Sequence, residues 1–142
     1  MAGLQPVFDA YAKAVWDKDV DGFLRLYAED VQCFAMWADW LRVGKGPVRQ
    51  ATEAWFGGLG TDRVRVTFAV IRQREAGDLA WAEAFVRFAA MGVDGTELRA
   101  MDNRLTWVAA RGPDALGPDG WRVVHEHTSA PLDDDAKAMF AR

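Results

Sequence analysis

Along the first thirty residues the apolar positions recur at helical spacing. Leu4, Val7, Phe8, Tyr11 and Val15 fall three or four apart and predict one buried stripe of a helix, with Pro6 tolerated in its first turn. Asp17-Lys18-Asp19 interrupts the stripe, and an aspartate suited to capping precedes a second helix whose buried positions are Val20, Phe23, Leu24 and Tyr27. Val31 to Met36 reads as a strand, and Trp37 to Trp40 as an aromatic turn. Gly44-Lys45-Gly46-Pro47 opens a third helix with proline in its first turn. That helix buries Val48, Ala51 and Trp55 and stops at Gly57-Gly58, where left-handed backbone costs little. From Asp62 the apolar residues alternate instead, in segments 62–75, 78–91, 96–110 and 120–130 rich in valine, phenylalanine and tryptophan. Short connections make these neighbours antiparallel. The expectation is α+β: three N-terminal helices layered on a curved, mainly antiparallel sheet, one domain over residues 1–142. Residues 133–142 form a tail that opens with three aspartates, and a short helix, a free end and a lid are all open for it.

Composition changes this picture in few places. A chain of 142 residues, half of them apolar, has enough material for a core without disulfide or metal support. Seven tryptophans and eight phenylalanines call for large buried rings or a ring-lined cavity. The net charge of −4 is spread over interleaved signs, with no cationic stripe for a nucleic-acid backbone. Met1 to Ala10 has no basic start and includes Asp9, so a secretory signal is not expected, nor is a membrane span. With Cys33 alone, the reading is a cytoplasmic protein with a core thiol. The Gly44-Lys45-Gly46 segment lacks the spacing and hydroxyl of a phosphate loop.

The run from Tyr11 through Trp16-Asp17-Lys18-Asp19 and Phe23-Leu24-Arg25-Leu26-Tyr27 to Val31 resembles the opening of SnoaL-like and ketosteroid isomerase-like proteins. The closing Gly120-Trp121-Arg122-Val123-Val124-His125-Glu126-His127-Thr128-Ser129 is similar to the end of SnoaL-like proteins and of the calcium/calmodulin-dependent protein kinase II association domain. The resemblance implies the cone-shaped fold of the nuclear transport factor 2-like superfamily, with a pocket between helices and sheet. That superfamily spans isomerases, cyclases, hydrolases, transport factors and assembly domains, so the fold does not choose the activity. Carried over residue by residue, the isomerase's oxyanion-binding tyrosine matches Tyr11, its general base falls on Ala35, and its protonated aspartate lies near Met101-Asp102-Asn103. The association domain's two pocket arginines resemble Arg87 and Arg104.

Alternation along the strands gives candidate site residues independently. Trp81, Glu83, Phe85 and Arg87 share one face of their strand, and Ala100, Asp102, Arg104 and Thr106 one face of the next. A hairpin centred on Gly92 to Gly95 sets Glu83 opposite Arg104 and Phe85 opposite Asp102. Regular pairing of the last strand adds Glu126 and Thr128 to that face and turns His125 and His127 away. The expectation is a polar row, Glu83, Arg104 and Glu126, on the concave face. It is either a closed ion-pair network or a site in which Asp102, Glu83 or Glu126 moves a proton while Arg87, Arg104 and Tyr11 hold the ligand's oxygen. Trp37, Trp40 and Phe56 are expected at the pocket mouth, with Trp81, Phe85 and Thr128 as further ligand contacts. Two histidines without a third ligand make no metal site. The expected function is cofactor-free proton transfer, of isomerase or cyclase type, on a small apolar carbonyl compound. The alternatives are a noncatalytic binder of small carboxylates or aromatic acids through Arg87 and Arg104, and a homodimer assembled on an outer face bearing Val124, Leu105, Trp107 and the histidines.

Overall fold

The structure, a computed structural model, describes residues 3–112 and 120–142. Helix α1 spans Gln5–Asp17 and presents Val7, Phe8, Tyr11, Ala14 and Val15 to the core. It ends on Lys18 in left-handed backbone, whose N–H bonds back to the last turn. Helix α2 is only Val20–Leu24, opened by Asp19, whose carboxylate accepts from the Gly22 N–H at 2.9 Å. Strand β1, Tyr27–Phe34, starts earlier than its apolar pattern predicted, so Tyr27 belongs to the sheet and not to the second helix. A two-residue strand β2, Arg42–Val43, leads through Gly44 into helix α3, Lys45–Gly57. The left-handed glycine after α3 is Gly60 and not Gly57 or Gly58. The Gly58 N–H still bonds to Ala54 O and the Leu59 N–H to Phe56 O, so the chain keeps its right-handed turn two residues longer.

Strands β3 (Arg63–Ala76), β4 (Leu79–Met91), β5 (Glu97–Arg111) and β6 (Trp121–Ser129) follow. The connection between β5 and β6 lies largely outside the described residues. The sheet order is β2-β1-β6-β5-β4-β3, antiparallel throughout except for the parallel pair β1 and β6. The architecture is therefore the expected α+β, with helices on one face of a curved mixed sheet.

Which face the helices cover corrects the prediction. In β4 the covered residues are Ala80, Ala82, Ala84 and Val86, and in β5 Leu105, Trp107 and Ala109. The covered set of β4 is small and apolar, whereas the alternate set would put guanidinium and carboxylate groups under the helix layer at a desolvation cost. Trp81, Glu83, Phe85 and Arg87 consequently lie on the outer face, as does Arg104. Leu105 and Trp107, expected outside, are core residues. The β4–β5 register differs as well: Glu83 faces Thr106, Phe85 faces Arg104, and Arg87 faces Asp102. The Gly92–Thr96 turn plus a bulge beside Met91 adds residues that a symmetric hairpin lacks, moving the register by two.

A cluster of rings fills the space between helices and sheet. Phe8 stacks on Trp107 at 5.0 Å between centroids, and Phe68 lies 4.7 Å from Phe8. Tyr11 meets Phe23 at 4.8 Å, and Phe23 meets Tyr27 at 5.4 Å. The tail is neither a helix nor a free end. It reverses between Leu132 and Ala138, then sets the Phe140 carbonyl to accept from the Asp102 N–H at 2.7 Å, beyond the end of β6. Among the described residues no helix is long and apolar enough to cross a membrane.

Candidate functional site

Between α3, Tyr11 of α1, Phe23 of α2 and the covered face of the sheet lies a cavity of about 680 Å³. Its floor is built from paired positions across the sheet. Arg42 on β2 stands opposite Cys33 on β1, Cys33 opposite Glu126 on β6, and Glu126 opposite Trp107 on β5. A polar row does cross three strands of the concave face, but it is Arg42, Cys33 and Glu126, and Glu83 and Arg104 have no part in it.

Glu126 reaches this face through an irregularity. Trp121 and Val123 point inward, and uninterrupted alternation would bring His125 and His127 in and turn Glu126 out. A bulge at Val124, where the register against Val108 and Ala109 shifts, reverses the alternation. Glu126 and Thr128 then face the cavity, and His127 pairs with Thr106 on the outer face, where both histidines meet Phe34 edge-on.

The Glu126 carboxyl is held from one side. The Tyr27 hydroxyl and the Trp107 indole N–H both donate to Oε1, each at 2.8 Å. Among the described residues no group bonds to Oε2, and the side chain lines the cavity. Burial raises the Glu126 pKa above the ordinary glutamate value, a larger effect than the opposing hydrogen bonds from Trp107 and Tyr27 and the charges of Arg42 and His125. Tyr11, from α1, lines the same cavity, and burial followed by the nearby Glu126 charge keeps its phenol protonated well above the usual range. Burial also pushes the Cys33 thiol up to about 12, so it stays a neutral thiol.

The remaining wall is mostly apolar: Phe23, Val48, Trp55, Leu59, Val64 and Phe88 carry much of it. Among the described residues two cations line it. Arg42 is fixed by its Nε to Asp39 Oδ2 at 3.0 Å and its Nη2 to the Trp37 carbonyl at 3.2 Å, and Arg99 is exposed. Asn103, on the Leu105 and Trp107 face of β5, also lines the cavity.

Of the residues singled out from sequence, Tyr11, Trp37, Glu126 and Thr128 come together at the cavity. Phe56 packs into the core against Phe23 and Trp55, and Trp40 is 97% exposed and away from the lining. Trp81, Glu83, Phe85, Arg87, Asp102 and Arg104 lie across the sheet from it. Glu83 pairs with Arg72 at 2.6 Å, Arg87 with Asp102 at 3.3 Å and Glu97 at 3.7 Å, and Arg104 donates to Ser129 at 3.1 Å. The tail buries Asp102, whose carboxylate accepts from the Arg142 N–H. Sequence reading missed Tyr27, Arg42, Asn103 and Arg99. Asn103 and Arg99 share the parity of Trp107 along β5, a signal open to reading once that ring is recognised as core, whereas Tyr27 and Arg42 stand on β1 and β2 and reach the cavity only through strand pairing. Among the described residues no three His, Cys, Asp or Glu side chains cluster as metal ligands.

Comparison with known proteins gives one family match, the SnoaL-like domain, over residues 4–133. An NTF2-like protein of unknown function from Pseudomonas putida KT2440 is similar at 27% identity and a TM-score of 0.75, over 98% of this chain and 92% of that one. A protein from Thiobacillus denitrificans named for the calcium/calmodulin-dependent protein kinase type II association domain shares the fold at 24% identity and a TM-score of 0.67, over 92% and 96% of the two chains. A ketosteroid isomerase-like protein from Erwinia carotovora shares it at 14% identity and a TM-score of 0.68, over 90% and 93%. No curated protein shows significant similarity.

Proposed function

The chain belongs to the SnoaL-like domain family, and from that premise we propose that it is a cofactor-independent enzyme moving a proton on a small, apolar carbonyl compound, with Glu126 as acid and base and Tyr11 as oxygen-holding donor. The observation that carries this reading is the state of Glu126: a carboxyl with one oxygen held by Tyr27 and Trp107, the other free, facing a largely apolar cavity. Ionised Glu126 takes a proton from carbon adjacent to the carbonyl. The C–H electron pair becomes the enolate double bond, and the carbonyl π pair moves to oxygen, where the Tyr11 hydroxyl donates to it. Glu126 then returns the proton to another carbon of the same molecule in an isomerisation; in a ring closure the enolate carbon instead bonds to a second carbonyl carbon, whose π pair moves to its oxygen and takes the proton from Glu126, and neither course involves redox. A base with a raised pKa suits this work, since it holds the abstracted proton more strongly than an ordinary carboxylate and can still return it. Ala35, also in the lining, has no group for the role, so the proton carrier comes from the last strand.

Deuterium exchange next to the carbonyl of 1-tetralone, followed by NMR in heavy water, tests the reading. Wild type is expected to accelerate exchange over buffer, Glu126→Gln to lose about 10²- to 10⁴-fold of that, and Tyr11→Phe about 10²- to 10³-fold. No acceleration, or unchanged exchange in Glu126→Gln, overturns it. Arg42 and Arg99 in the lining favour a second reading, retention of a small carboxylate without turnover. It gains if wild type binds 2-naphthoate saturably and exchanges nothing.

A further inference from the structure

Asn103 is 6% exposed, yet its Oδ1 has no hydrogen-bond partner. Its Nδ2 reaches only the Met36 sulfur, at 3.4 Å, a weak acceptor. A buried amide left in this state costs stability, and its place in the fold does not require an amide, because Leu105 and Trp107 continue the same face of β5 with apolar groups. The side chain belongs to the cavity lining, with Met101 and Thr128 beside it. It stands four residues along β5 from Trp107, the partner of Glu126, which is roughly 13 Å of strand. That separation is longer than one ring.

We propose that Asn103 is a second polar subsite, whose Oδ1 accepts a hydrogen bond from a hydroxyl or N–H group at the end of the ligand remote from Glu126. Resting on the reading of the cavity as a carbonyl site, this narrows the ligand to an extended, fused-ring carbonyl compound carrying a hydrogen-bond donor at its far end. The apolar part of the lining, with Phe23, Val48 and Trp55 from the helices, accepts the ring body. An orphan acceptor discriminates strongly in such a place. The ligand that brings a donor satisfies it, and the analogue without one leaves it buried and unmet.

Two measurements test the proposal, neither of which reads turnover. The first is calorimetric affinity for 1-tetralone and 6-hydroxy-1-tetralone, a pair differing in one hydroxyl, at pH 6. Wild type is expected to hold the hydroxylated ketone at least about 10-fold more tightly, and Asn103→Leu to bind both alike. The second is thermal unfolding without ligand, in which Asn103→Leu, near-isosteric and free of the orphan acceptor, is expected to melt about 3–5 °C above wild type. Equal affinities in wild type, binding of neither ketone, a preference kept by the variant, or a lowered melting temperature would each overturn the subsite. The exchange reaction of 1-tetralone reports separately on Glu126. A lost hydroxyl preference in Asn103→Leu with no exchange in wild type leaves the subsite standing and removes the proton-transfer reading, and the opposite pair of results does the reverse.

Discussion

The environment of Glu126 differs between the folded and unfolded chains, and that difference has a pH signature. Burial raises its folded pKa above the unfolded value, with the Trp107 and Tyr27 hydrogen bonds opposing but not cancelling the effect. Between the ordinary glutamate range and the raised value the folded protein therefore binds more protons than the unfolded one. The stability linked to this group is fully present below the unfolded pKa and is lost as pH rises through the folded pKa. Urea unfolding of wild type and Glu126→Gln across that window is expected to show wild type losing stability with rising pH relative to the variant. A difference that stays flat, or runs the other way, would mean that the carboxyl is not desolvated. Cys33 contributes no comparable signature near neutrality, since its thiol stays protonated up to about 12.

At the scale of elements, the second helix has little of its own to hold it. Five residues make fewer than two turns, too short to be stable alone, and among the described residues its first turn depends on the Asp19 carboxylate accepting from Gly22. Asp19→Ala is expected to cost about 1 kcal/mol in urea unfolding. No measurable loss would show that Phe23 and Leu24, buried against the core, suffice to hold the turn. Element by element, the chain was legible where periodicity was long. The stripe of α1 and the alternation of β3 to β6 identify themselves in sequence because a helix or strand repeats its own geometry over many side chains. Bulges do not. The one at Val124 inserts a single residue without a glycine or proline to announce it, yet it decides that Glu126 and not His125 or His127 faces inward. The sequence reading reached Glu126 by placing Arg104 on the concave face and assuming regular pairing, two steps that the structure corrects and that offset one another for this residue.

Over the whole molecule, the tail ties the outer face to the cavity wall. Phe140 stacks on Trp37 at 5.9 Å, and Trp37 lines the cavity. On the other face the Arg142 guanidinium lies 4.2 Å from the centre of the Phe85 ring and the Arg142 N–H bonds to Asp102. Phe140→Ala is expected to lower stability by about 1 kcal/mol through loss of the stacked pair. An unchanged unfolding midpoint would show that the tail is held without that pair, by its bonds to Asp102 and the contact of Arg142 with Phe85.

Helix α3 buries Val48, Thr52 and Phe56, while Ala51 and Trp55, expected in its stripe, line the cavity. The kind of the main elements, the α+β layering and the buried stripe of α1 follow from the sequence alone, because spacing of apolar residues is a local property that each element carries in itself. Which face of the sheet is covered does not. In β4 both faces carry apolar groups, and covering the alanine face avoids the cost of desolvating Glu83 and Arg87, and Arg104 on the same side of β5. Register and bulges between strands then assembled Arg42, Cys33, Glu126 and Trp107 into one row, from positions up to 93 residues apart in the case of Cys33 and Glu126. No local pattern encodes such a row. It exists only where the tertiary structure lays the strands side by side.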